Sequence, residues 1–90
     1  MDLQHGQPVN LSATGVVTAN PGVLLGFYVN STNAGTLVMR DGGSGGTVID
    51  GTITPLIGWH FYPVGFGKAG GLHATIGGTA LDVTFIYLPT

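Results

Sequence analysis

Apolar and β-branched residues fall in seven short runs, over residues 11–18, 23–30, 36–40, 47–53, 56–64, 72–76 and 81–88. Between them stand turn-forming clusters: Asn20-Pro21-Gly22, residues 31–35, 41–46 and 65–71, and Gly77-Gly78-Thr79. Short β-branched runs broken every 8–12 residues by Gly, Asn and Asp predict a sandwich or barrel. No window carries helical spacing free of Gly or Pro for three turns. The chain is therefore expected to be all-β, a compact antiparallel β-sandwich or jelly-roll-like domain of about seven or eight short strands. That single domain spans residues 11–90. Residues 1–10 carry no period of either kind and are expected to form an N-terminal arm, disordered alone and extended when docked.

Alternation assigns faces, because successive strand side chains point to opposite sides. Val23, Leu25, Phe27 and Val29 share one face, with Leu24, Gly26 and Tyr28 on the other. Leu37 and Met39 oppose Val38 and Arg40, and Leu81, Val83, Phe85 and Tyr87 oppose Asp82, Thr84, Ile86 and Leu88. Ile57, Trp59 and Phe61 share one face, with Trp59 and Phe61 expected in the core, leaving His60 and Tyr62 for a partner. Several second faces are themselves apolar, as Leu24, Val38, Ile86 and Leu88 show. A sheet with one wet face should alternate cleanly between apolar and polar. Two-sided apolar strands point to burial by another chain.

Charge sharpens this picture. The 90 residues include only two cations, Arg40 and Lys68, against Asp2, Asp41, Asp50 and Asp82, and charged residues make up 7%. A lone soluble domain is about a quarter charged. Two cations cannot assemble the basic patch that phosphate neutralisation requires, so nucleic acid is excluded as a partner, and a polybasic membrane contact with it. The N-terminus has neither a basic start nor an apolar run, and no apolar stretch reaches 18 residues. Synthesis and use in a cytoplasm are expected.

Candidate chemistry is sparse. Asp41-Gly42-Gly43-Ser44-Gly45-Gly46 lacks the Lys-Ser/Thr pair of a phosphate cradle and the carboxylate spacing of a calcium loop, and reads as a flexible hairpin tip. His5, His60 and His73 form no ligand-spaced pair, so a metal site could arise only from the fold or across a threefold axis. With no Glu and no Cys, a trio such as Ser44, His60 and Asp50 could meet only by accident of folding. The chain is expected not to be an enzyme and to carry no cofactor.

The segment Pro21-Gly22-Val23-Leu24-Leu25-Gly26-Phe27-Tyr28-Val29-Asn30 is followed by Gly35-Thr36-Leu37-Val38-Met39-Arg40-Asp41-Gly42. Gly46-Thr47-Val48-Ile49, Trp59-His60-Phe61-Tyr62-Pro63, Gly71-Leu72-His73-Ala74 and Asp82-Val83-Thr84-Phe85-Ile86-Tyr87 come next. This ordered set, over about residues 12–88, resembles small tailed-bacteriophage structural proteins, namely capsid decoration (cement) and head-fibre-type virion proteins. The resemblance implies a homotrimer on the capsid exterior, bound to the major capsid protein at threefold positions. It also implies synthesis in the host bacterial cytoplasm, residence on the virion and no catalytic residues. The candidate contact residues are Leu3, His5, Leu24, Tyr28, Val38, His60, Tyr62, Ile86 and Leu88. The alternative is a receptor- or glycan-binding β module of a fibre or tail, with Trp59, Tyr62 or Tyr28 as a stacking platform.

Overall fold

A computed structural model describes residues 6–89, with Thr79 described by its backbone alone. The described chain is all-β, as the punctuation predicts. Its strands are β1 (Gln7–Leu11), β2 (Gly15–Thr18), β3 (Gly22–Asp41), β4 (Thr47–Val48), β5 (Gly58–Phe66) and β6 (Leu72–Pro89). All pairings are antiparallel.

The frame is one long ribbon of β3 and β6, paired from Gly22↔Pro89 to Asp41↔Leu72. The expected turns at residues 31–35 and 77–79 lie inside these two strands and do not end them. What they mark is a bend. Three register shifts fall between Val29 and Thr36, and Ala34, Gly78 and Ala80 all take left-handed backbone there, with φ of 55°, 75° and 61°. Bulges of this kind bend a strand and increase its twist. Below the bend, the ribbon is flanked by β5 on β3 and β1 on β6. Above it, β4 flanks β3 and β2 flanks β6.

The two halves close over one core. Leu24, Phe27, Val29, Phe66, Leu81, Val83 and Phe85 come from the first half, and Val17, Leu37, Met39, Leu72 and Ala74 from the second. The shortest Cα extent is 16 Å, which suits two sheets packed about 10 Å apart. The fold is sandwich-like.

Several expectations are corrected. The arm assigned to residues 1–10 is a strand from Gln7 onward, paired with β6 from Gln7↔Tyr87 to Leu11↔Val83. Its apolar period is hidden because β1 pairs with β6 along one edge and all five of its residues stay exposed or half-buried. Residues 1–5, including Leu3 and His5, lie outside the described residues. The expected strand over residues 47–53 shrinks to Thr47–Val48. Beyond it the Asp50 carboxylate accepts the Met39 amide at 2.7 Å, in place of a neighbouring strand's carbonyl. Backbone pairing resumes only at Leu37↔Ile53.

Two face assignments also reverse. A register shift between Leu24 and Gly26 inserts one residue into β3 relative to β6, so Leu24 joins Phe27 and Val29 in the core, fully buried. On β5, His60 pairs with Phe27 and therefore shares its inward face. Their rings stack with centroids 5.0 Å apart. Trp59 and Phe61, expected inside, point outward. The faces of Leu37 and Met39 and of Leu81, Val83 and Phe85 are as alternation predicts.

Candidate functional site

The outer face of the β5-β3-β6-β1 sheet holds two neighbouring rows of side chains, set by register. One row crosses the sheet as Trp59, Tyr28, Thr84 and Asn10, and the next as Phe61, Gly26, Ile86 and Pro8. Trp59, Tyr28 and Phe61 are 48%, 45% and 73% exposed. Gly26 is the reason Trp59 can lie down. A Cβ there would overlap the His60 carbonyl oxygen and stand 2.8 Å from the indole Cη2 and Cζ2. The missing side chain is thus the seat of the indole.

A polar group borders these aromatics. Asn10 Nδ2 donates to Asp82 Oδ1 at 2.5 Å and to Thr84 Oγ1 at 3.1 Å. Asn30 Nδ2 donates to the same two acceptors, at 3.3 and 3.0 Å. The four side chains are therefore mutually oriented. Leu56 and Ile57 are exposed in the segment before β5.

The opposite outer face belongs to the β2-β6-β3-β4 sheet and is different in kind. Its row reads Val16, His73, Arg40 and Val48. Val16 and Val48 are exposed, and Val38 is half-buried on the same face beside Thr75. Arg40 Nη1 donates to Thr75 Oγ1 at 3.1 Å. His73 is buried among these groups, and its Nδ1 has no hydrogen-bond partner.

Of the candidate contact residues, the fold brings Tyr28 and Ile86 together on the first outer face and places Val38 on the second. Leu24 and Leu88 are buried and closed to a partner. His60 and Tyr62 turn inward: His60 Nε2 lies 2.7 Å from the Leu56 carbonyl, and the Tyr62 hydroxyl reaches the Ile49 carbonyl at 3.5 Å. Tyr62 is thereby removed from any stacking platform, and Phe61 takes its place. Phe61, Asn10, Asn30 and Asp82 were not legible as a group, since only strand register joins Asn10 to residues more than seventy positions away.

The titratable groups are held separately. Asp41 accepts the Lys68 amide at 3.0 Å and the Gly67 amide at 3.4 Å, and Lys68 Nζ donates to Thr47 Oγ1. With Gly42 and Gly43 donating to the Gly71 carbonyl, this docks the tip expected to be flexible. No hydrogen bond joins any two of Ser44, His60 and Asp50 among the described residues. Nor do three or more His, Cys, Asp or Glu gather there as a metal site.

Asp50 is perturbed. Burial pushes its carboxyl above the ordinary range, against the opposing pull of the Met39 amide, its own amide and Arg40. A carboxyl whose pKa is higher folded than unfolded favours folding most below its unfolded value, and that contribution disappears as pH rises through the folded value. Asp50→Asn keeps an oxygen for the Met39 amide and removes the buried charge. The expected result is a flatter stability profile as pH rises above the ordinary carboxylate range, read by thermal melts. Asp50→Ala strands that amide and is expected to cost about 1–3 kcal/mol.

No protein-family model matches the chain, and neither does any curated protein or solved structure.

Proposed function

We propose that the protein is a non-enzymatic structural protein of a tailed-phage virion, decorating the capsid exterior as a homotrimer bound to the major capsid protein. The observation that carries this reading is that apolar side chains occupy both outer faces of a sandwich this small. Val16, Val38 and Val48 lie on one, and Tyr28, Trp59, Phe61 and Ile86 on the other. A 7% charged composition supports it, since such a surface gains from being covered. The valine face is the better shell contact, being β-branched and stiff. Three weak contacts in one trimer would reinforce each other through effective concentration. Binding only the expanded shell would stabilise that shell by mass action.

The test adds purified protein to capsids that lack it. Saturable occupancy and raised heat tolerance of the shell are expected, with a trimer in light scattering. Val16→Asp and Val48→Asp should each reduce occupancy about tenfold or more while the far-ultraviolet circular dichroism is unchanged. Capsids that neither retain the protein nor gain heat tolerance would refute the decoration role.

A further inference from the structure

We infer that the outer face of the β5-β3-β6-β1 sheet is a binding platform for a neutral oligosaccharide, with Trp59 and Tyr28 as stacking surfaces and Asn10, Asn30 and Asp82 as hydrogen-bonding partners. This goes beyond the decoration role and does not depend on it, because the valine face points the other way.

Three observations select a sugar over a protein. First, the face is not uniformly apolar: the Trp59-Tyr28-Thr84-Asn10 row passes from two aromatic rings to a hydroxyl and an amide. A pyranose has the same split, with C–H groups on its faces and hydroxyls at its edge. Aromatic rings take the first. The amide protons of Asn10 and Asn30 are engaged by Asp82 and Thr84, so the amide oxygens and the Asp82 carboxylate take the second, as acceptors for sugar hydroxyls. Second, the groups are already ordered. The indole rests on Gly26, and Asn10 and Asn30 are both held by Asp82 and Thr84. Little side-chain freedom is therefore lost on binding.

Third, the charge is right for a neutral ligand. Arg40 lies on the opposite sheet and Lys68 in the loop before β6. Among the described residues, the carboxylate of Asp82 is therefore the only ionised group on this face. A sulfated, phosphorylated or uronic sugar would meet that carboxylate with no cation to offset it. The row spans three strand spacings, about 14 Å, which fits a short linear chain of hexoses and exceeds a monosaccharide.

Trp59 is the one tryptophan, so its emission reports the site directly. The experiment titrates the full chain with neutral gluco-, galacto-, manno- and N-acetylhexosamine tetrasaccharides up to about 10 mM, well above a weak Kd of about 1 mM. A saturable shift of emission with at least one of them is expected. Tyr28→Ala should weaken that binding about tenfold, and Asn30→Ala several-fold. Ser44→Ala, at the distant loop tip, should leave it unchanged. Trp59→Ala is read by calorimetry, with about a tenfold loss expected. Should that variant not fold, Trp59→Phe, retaining a stacking ring, is expected to keep measurable binding. Silence across the panel overturns the inference, as does sugar binding that Tyr28→Ala and Asn30→Ala leave intact. An emission shift produced by capsids and by none of the sugars overturns it too, and makes this face a protein contact.

Discussion

Gly71→Ala is expected to be the most damaging single-methyl change in the protein. Gly71 stands at φ +70°, and a Cβ on it would overlap the Thr18 carbonyl oxygen and lie 2.7 Å from the Ala19 carbonyl carbon. The left-handed backbone alone costs an alanine about 1–2 kcal/mol. The overlap adds more, because backbone atoms cannot swing aside as a side chain can. Relief requires β2 to move off β6 at Thr18↔Leu72, beside the buried Val17. It also disturbs the carbonyl that holds Gly42 and Gly43. The total is about 3 kcal/mol or more, which lowers Tm by about 12–24 °C in a domain of this size. Gly67→Ala is the control: its Cβ would meet nothing within 4 Å and its φ is unexceptional, so a change within about 0.5 kcal/mol is expected. Equal melting of the two variants would mean that the Lys68–Gly71 turn is not seated on β2.

Leu24→Ala is expected to cost about 2–5 kcal/mol, whereas Leu25→Ala should cost distinctly less. Leu24 is fully buried beside Phe27 and Val29, and Leu25 is half-buried at the register shift. Simple alternation demands the reverse order, with Leu25 inside and Leu24 outside. Chemical denaturation of the two variants therefore reads the bulge itself. If Leu25→Ala proves the more destabilising, β3 carries no inserted residue between Leu24 and Gly26; Tyr28 and its partner Trp59 lie beyond that shift and face outward in either case, opposite the buried Phe27 and Val29.

The two outer faces divide the proposed work. A domain seated on its shell by Val16, Val38 and Val48 would hold Trp59 and Tyr28 away from that shell. Attachment can then be weakened at Val16 without touching the sugar titration, and the sugar site at Tyr28 without touching attachment. Either proposal can fail alone.

Much of the architecture was legible in the residues themselves. Glycine-punctuated β-branched runs dictate strands, because no other regular structure tolerates that composition at that spacing. Where a strand is regular, alternation names its inner face correctly, as with Leu37 and Met39 or Leu81, Val83 and Phe85. The scarcity of charge is likewise a property of composition. Tertiary structure alone decided the rest. Parity along a strand is local, but its phase is set by cross-strand partners, and one inserted residue reverses it. Thus the shift at Leu24/Gly26 sent Leu24 inward, and pairing with Phe27 sent His60 in and Trp59 out. The glycine and asparagine clusters at residues 31–35 and 77–79 read as chain reversals. They became bends because β3 and β6 hydrogen-bond to each other on both sides of them. Asn10 meets Asp82 for the same reason: pairing between β1 and β6 joins the two ends of the chain, and no pattern along the sequence encodes which edge a strand will find.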